Sequence, residues 1–316
     1  MRQNRNWNFL FLTVLLSGII TACGSDREST QETYDGVHVT VVATIYPLYH
    51  FTKVVGGEAV DVQSAVTSSA EAHSFKPTPG VIRLLADADL VVANGLDLEP
   101  WLDRALDALG DDRPRLVVEA SDPAVAREGE AHDNEEHTGQ LIDPHVWLDP
   151  VLAMGQAERI RDALMTVDPS GAAGYEARAV AFIRQLGDLN EAFESRLSDC
   201  RHRYFVTTHA AYGYLAERFG LEQIAIAGLS PDAEPSARDL ASLTEQVSSL
   251  DIRYVLVEPS LSSRLAETVA SESGLTSLPI HQLGSVTDEE LAQHEDYLGL
   301  MRDNLESLAT ALECVA

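Results

Sequence analysis

Lysine is almost missing from this chain: Lys53 and Lys76 are the only two, and all basic residues together number 22 against 50 acidic ones. That deficit excludes nucleic acid as a partner, because proteins that grip a phosphate backbone carry basic patches. An acidic surface raises the local concentration of cations, yet it forms no specific site by itself. The bias towards arginine fits either genome composition or a salty habitat. Internal repeats and low-complexity tracts are absent too, apart from one short acidic stretch near residue 130.

A long hydrophobic run is also lacking. The longest, Phe9–Ile20, falls short of the roughly 20 apolar residues that span a bilayer. Arg2 and Arg5 precede it with no acid nearby, and Thr21, Ala22 and Cys23 follow. A basic start, a short apolar centre and a small-residue exit make residues 1–22 a secretory leader. The run Ile20-Thr21-Ala22-Cys23 resembles a bacterial lipobox, in which the cysteine is lipidated and becomes the mature N-terminus. Ordinary cleavage with Cys23 incidental is the plainer alternative. Residues 23–36 are polar and unpatterned, as a flexible tether should be. Loss of the leader and its two arginines leaves 20 basic and 50 acidic residues, a formal charge of −30. Only Cys200 and Cys314 then remain. In an oxidising compartment they are available for one disulfide closing a long loop, and the sequence leaves open whether they come within reach.

The mature chain is long enough for two domains of ordinary size. Short β-branched runs alternate with amphipathic stretches, the pattern of an α/β fold with mainly parallel strands. In the first half, strands are expected at 37–44, 60–66, 90–93 and 115–118, with helices at 47–55, 79–86 and 100–109. The second half carries strands at 204–208, 223–227, 254–257 and 276–280. Its helices fall at 212–219, 237–250 and 263–273, with a last one over 288–312. Between the halves, Ala179, Phe182, Ile183, Leu186, Leu189, Phe193 and Leu197 recur at helical spacing. A helix over 175–200 would be on the order of 40 Å long, enough to join two lobes. The expected organisation is an N-terminal lobe over 37–167, a linking helix over 168–200 and a C-terminal lobe over 201–316.

Four of the ten histidines share a position relative to the strands. His73 follows the second strand through a short loop, and His145 lies beyond the fourth in Asp143-Pro144-His145-Val146-Trp147. His209 directly follows the strand at 204–208, and His281 the strand ending at Ile280. Ligands of open α/β sheets bind outside the carboxyl ends of strands. All four imidazoles therefore stand on the edge where a site belongs, two from each half. Four imidazoles suit Zn²⁺ in tetrahedral geometry; copper and nickel accept the same donors. For any single histidine the bland alternative is a hydrogen-bonded polar residue beside a loop. His38, His50, His202 and His294 lack the placement and read as surface or structural.

At these residues the sequence resembles solute-binding protein family 9, the metal receptors of bacterial ABC importers. The markers are Ala43-Thr44-Ile45-Tyr46-Pro47-Leu48, His73-Ser74-Phe75-Lys76-Pro77-Thr78-Pro79 and Asn94-Gly95-Leu96-Asp97-Leu98-Glu99-Pro100-Trp101. Asp143–Pro150, Thr208–Tyr214 and Glu234-Pro235-Ser236-Ala237 complete the set, and the likeness covers nearly all of the mature chain. It implies two lobes bridged by a long helix, with metal in the cleft between them. It also implies partners, the importer's membrane permease and its ATPase, and a place in the cell envelope. There the chain would be lipid-anchored on the outer face of the cytoplasmic membrane or in the periplasm. His73, His145 and His209 match the first three ligand positions. Manganese receptors of the family typically carry glutamate at the third, so His209 points to zinc as the transported ligand. At the fourth, Leu278-Pro279-Ile280-His281-Gln282-Leu283-Gly284 puts His281 where the family commonly has aspartate. That exchange removes a negative charge beside the metal. Glu258 is the best candidate to compensate, and Glu71 the weaker one.

The stretch 127–140, with His132 and His137 among its acids, resembles a short form of the His-rich acidic loop of zinc receptors. It reads either as a metal-collecting loop or as a solvated surface loop. Other functions on the same scaffold are manganese or iron capture, a zinc chaperone and an adhesin. From a different class, a zinc hydrolase would need a coordination position left open for water. None of the four histidines lies in a His-Glu-x-x-His segment, and no general base stands beside them in the sequence. The expectation is a receptor rather than an enzyme.

Overall fold

A computed structural model of the chain describes residues 38–66, 70–129, 142–230, 236–258, 270–271, 274–294 and 296–315. The leader, Cys23, the tether, the Glu234-Pro235 pair, His132 and His137 lie outside the described residues. So does the helix expected at 263–273, apart from Ala270 and Ser271. Among the described residues, no helix is long and apolar enough to cross a membrane.

The first half folds around four parallel strands: β1 Val39–Ala43, β2 Val60–Ser64, β3 Leu90–Ala93 and β4 Leu116–Glu119. Their spatial order is β2-β1-β3-β4. β1 pairs Val39 with Val60 on one side and Val41 with Leu90 on the other. Central parallel strands are covered on both faces and so read as unbroken apolar runs; Leu90, Val91 and Val92 are completely buried. The second half repeats the plan with β5 Tyr204–His209, β6 Glu222–Ala227, β7 Tyr254–Val257 and β8 Thr276–Pro279. Its order is β6-β5-β7-β8, again all parallel. The two sheets thus share one topology without any detectable sequence repeat.

Helices α1 Tyr46–Gly56, α2 Pro79–Asp87 and α3 Leu102–Leu109 serve the first sheet. Thr78 starts α2 by accepting the Val81 N–H on its hydroxyl, and Pro79 takes the first helical position, where its missing N–H costs nothing. Leu85, Val91, Trp101 and Leu106 fill the layer between α2, α3 and the strands. In the second half, α6 Gly213–Phe219 and α7 Ala237–Ser249 take the same role. Val206, Ile224, Val247 and Val255 form the layer under α7.

Two helices lie between the sheets in sequence. α4 Pro150–Val167 begins at Asp149, whose carboxylate caps Val151 and Leu152 N–H. A short turn at Pro169–Gly171 leads into α5 Ala172–Arg196, 25 residues long. α4 is not among the helices expected from the sequence; it packs against α5. Phe182 of α5 is buried against Phe51 of α1, ring centroids 5.2 Å apart. Phe51 in turn meets Tyr297 of the last helix at 4.8 Å, edge to face. A first-half helix, the long helix and a C-terminal helix therefore meet in one aromatic layer. Truncating Phe182 to alanine would cost about 3–5 kcal/mol.

The single helix expected over 288–312 is two helices, α8 Asp288–His294 and α9 Tyr297–Ala311. Asp296 adopts extended backbone and accepts the Gly299 N–H on its side chain, starting α9 afresh. Apolar periodicity runs through the break, which is why it passes for one helix; only the capping geometry interrupts it. After α9, Cys314 is disulfide-bonded to Cys200, 114 residues earlier. Val315 N–H also reaches Asp199 O at 2.9 Å, so the C-terminal end is tied to the entry of β5.

The loop after β3 is unusual. Gly95, Leu96 and Asp97 all have positive φ, of 78°, 54° and 61°, a region that costs non-glycine residues free energy. Glu99 closes it, accepting Asn94 N–H at 2.8 Å, Gly95 N–H at 3.1 Å and the Thr44 hydroxyl at 2.5 Å. Asn94 in turn donates from Nδ2 to Pro144 O at 2.9 Å. The strained loop thereby supports the backbone that carries His145.

Candidate metal centre

His73, His145 and His209 come together at the carboxyl ends of the two sheets, their nearest ring nitrogens all within 4.8 Å of one another. The His73 and His145 Nε2 atoms face each other at 3.1 Å. Two nitrogens on one tetrahedral zinc stand about 3.3 Å apart when each bond is near 2.0–2.1 Å, so this pair is already near coordinating distance.

Each histidine is held by its own neighbours. His145 and Asp143 are completely buried, and the Asp143 Oδ1 oxygen accepts both the His145 N–H, at 3.0 Å, and Nδ1, at 2.8 Å. Arg127 reaches the other oxygen of Asp143 at 3.2 Å. His209 ends β5, where its carbonyl accepts the Gln223 amide at 2.8 Å. Its Nδ1 meets Glu258 Oε1 at 2.6 Å, just beyond β7. The same oxygen accepts the Thr208 hydroxyl at 2.7 Å, while Glu258 Oε2 is buried without a hydrogen-bond partner among the described residues. His73 is half-buried, and its N–H donates to Glu71 Oε1 at 3.2 Å. Phe75, two residues on, packs edge-on against Trp101 at 5.3 Å and fixes that loop to the first lobe.

With Nδ1 of His145 and His209 taken by carboxylates, Nε2 is the atom each offers, and a carboxylate partner fixes tautomer and orientation. Burial pushes the His145 imidazole below its ordinary pKa against the pull of Asp143. Burial and the two neighbouring imidazoles push His73 well below its own. For His209 burial acts in the same direction, but Glu258 overcomes it and the pKa is raised. Neutral imidazole is the form that ligates metal.

His281 is not part of this group of three. It follows β8 with its backbone clamped by Asn304, which accepts the His281 N–H at 2.8 Å and donates to its carbonyl at 2.7 Å. The next residue, Gln282, accepts the Trp147 indole N–H on its carbonyl at 2.6 Å, and Gly284 O accepts the Tyr46 N–H at 3.3 Å. That loop is thus bolted to the first lobe two residues from His145. Glu71 accepts the His73 N–H and its charge also raises the His209 pKa, while Glu258 stands behind His209 with Oε1 on Nδ1. Glu128 and Ile142 form an antiparallel bridge, and beside it the Asp143 N–H donates to Arg127 O at 3.0 Å.

Sequence reasoning gave Asp143 no role of its own, although its spacing of two from His145 is the signal for it. Trp147 as an interlobe bolt, and Arg127 behind Asp143, left no local signature.

Two parallel sheets meeting at a buried imidazole cluster define a two-lobed metal-binding protein. The family model described as "Zinc-uptake complex component A periplasmic" matches residues 41–311, and the chain belongs to that family. It is 34% identical over 314 residues to the high-affinity zinc uptake system protein ZnuA of Bacillus subtilis, covering 98% of each chain. It is 36% identical over 304 residues to the zinc-binding lipoprotein AdcA of Streptococcus pneumoniae, covering 95% of this chain but only 60% of that lipoprotein's length. Among solved structures, the Zn(II)-bound ZnuA-like domain of the same AdcA superimposes with a TM-score of 0.73 at 35% identity, covering 88% of this chain and all of that one. The laminin-binding protein Lmb of Streptococcus agalactiae, described as having adhesin and metal-transporting activity, gives 0.76 at 33% identity, with coverages of 87% and 99%.

Proposed function

We propose that this chain is an extracytoplasmic receptor that captures Zn²⁺ between its lobes and delivers it to an ABC-type importer. The observation that carries the reading is the meeting of three imidazole nitrogens from both halves of the chain within 4.8 Å. Imidazole suits zinc where carboxylate suits manganese, and relatives at 34–36% identity are named for zinc binding or zinc uptake. His73, His145 and His209 are the ligands, and His281 is the fourth. The importer's permease receives the ion while its ATPase drives the uptake, and Cys23 carries the lipid that keeps the receptor at the envelope. The stretch 127–140, with His132 and His137, serves as a metal-collecting loop. A filled four-ligand sphere leaves no water-bearing position, which favours capture over hydrolysis.

The test is competition between metal-stripped mature protein and a chromophoric chelator. One tightly held zinc per chain is expected, lost in His209→Ala. Stabilisation by manganese with none by zinc would end this reading.

A further inference from the structure

His281 lies outside the converging trio, yet like two of its members it has a carboxylate oxygen beside Nδ1, here at ion-pair distance rather than in a short hydrogen bond. In His145 and in His209, Nδ1 is taken by a buried carboxylate oxygen at 2.8 and 2.6 Å. At His281, Nδ1 lies 3.4 Å from Oε1 of Glu290, with the two side chains 11% and 16% exposed. Glu290 is not a swinging surface acid. Its other oxygen, Oε2, accepts the Thr287 N–H at 2.7 Å and the Thr287 hydroxyl at 2.8 Å. Its own N–H returns to the Thr287 hydroxyl oxygen at 3.2 Å. That reciprocal pattern is the capping box of α8. One carboxylate therefore serves two ends, one oxygen starting the helix and the other facing the imidazole.

Charge makes the same point. Four imidazoles would bring no anion into contact with a dication, so compensation has to stand one ring further out. Asp143 and Glu258 occupy that distance behind His145 and His209, and Glu290 occupies it behind His281. A carboxylate on Nδ1 also increases the basicity of the coordinating nitrogen.

We infer that Glu290 is a positioning residue that orients His281 as the fourth zinc-binding imidazole, through the contact of its Oε1 with Nδ1. The inference rests on the zinc-receptor reading above. It concerns only the fourth position.

Zinc affinity of the mature protein, measured by chelator competition, tests it in a double-mutant cycle. Glu290→Ala and His281→Ala should each weaken zinc binding by roughly 10–100-fold, and the double variant should be no weaker than His281→Ala alone. Glu290→Asp should restore part of the loss. Thr287→Ala, which uncaps α8 but leaves Oε1 in place, should lower thermal stability while affinity stays within a few-fold. With Co²⁺ as probe, the visible absorption of the bound ion should change in Glu290→Ala and His281→Ala alike. Additive losses in the double variant, or an affinity loss in Thr287→Ala equal to that in Glu290→Ala, would reduce Glu290 to a helix cap and overturn the inference. If wild type binds one zinc and His281→Ala binds it equally well, the fourth position fails while the three-histidine site stands. If wild type binds no zinc, the receptor reading itself fails.

Discussion

The Oε1 oxygen of Glu258 and Nδ1 of His209 lie 2.6 Å apart, and each side chain is only 1% exposed. The pair fixes which nitrogen His209 presents and holds the ring against rotation. Glu258→Gln keeps the shape but removes the charge. It should weaken zinc binding by roughly 10–100-fold without abolishing it. Chelator competition on wild type and variant side by side checks this; an unchanged affinity would mean that β5 alone orients the ring.

Zinc should also stabilise the fold, because an ion that binds only the native state shifts unfolding by mass action. At free zinc near 100 times Kd the gain is about 2.7 kcal/mol, or roughly 4–5 °C in Tm for a chain of this size. His73→Ala, His145→Ala and His209→Ala should each lose most of that shift. His202→Ala, at the opposite end of β5, should retain it. Thermal scans with zinc and with a chelator read both arms.

Much of this site is legible in the sequence because position relative to strand ends is a local property. His209 closes a run of β-branched and aromatic residues, and β5 ends on it. Val60–Ser64 and Leu90–Ala93 likewise fall where alternating and continuous apolar patterns put strands. What a linear reading misses is set by distant partners. Trp147 donates to Gln282 O, 135 residues away, and Glu290 reaches His281 only because a cap at Thr287 turns the chain. The break at Asp296 hides for a related reason, since apolar spacing continues across it. The Cys200–Cys314 pairing, open in the sequence, is decided by the antiparallel bridge that brings the two residues together.

That disulfide joins the entry of β5 to the end of α9, whereas the histidines cluster at the opposite ends of the strands. Its contribution is to stability, through a closed loop of over a hundred residues; the chain-entropy estimate for such a loop is about 4–5 kcal/mol, and measured values are usually nearer 2–4. The double variant Cys200→Ser, Cys314→Ser should lower the urea midpoint accordingly and leave the zinc stoichiometry at one. Loss of zinc binding under conditions where the variant is still folded would show that the bridge reaches the site.

Two partly buried groups away from the histidine cluster should give stability opposite pH dependences. Burial raises Glu99 to about 7 despite its three donors, and the nearby Glu119 charge adds to the rise. The folded chain then keeps a proton that the unfolded chain has released, so this contribution falls as pH climbs from about 4.5 to about 7. Its size is on the order of 3 kcal/mol. His50 sits among Tyr46, Phe51, Phe182 and Tyr297, and burial lowers it to about 4 against the pull of Asp296. Here the unfolded chain takes up the proton first, and stability is lost as pH drops from about 6.5 towards 4. The windows overlap between about 4.5 and 6.5, so the two slopes largely cancel there in wild type. Each variant should unmask the other: Glu99→Gln should show a steeper acid loss than wild type, and His50→Phe a shallower one. Urea denaturation across pH 4.5–8, read as differences from wild type, separates the two. Parallel curves for wild type and Glu99→Gln would show that the carboxyl is already ionised throughout, with Thr44, Asn94 and Gly95 outweighing its burial.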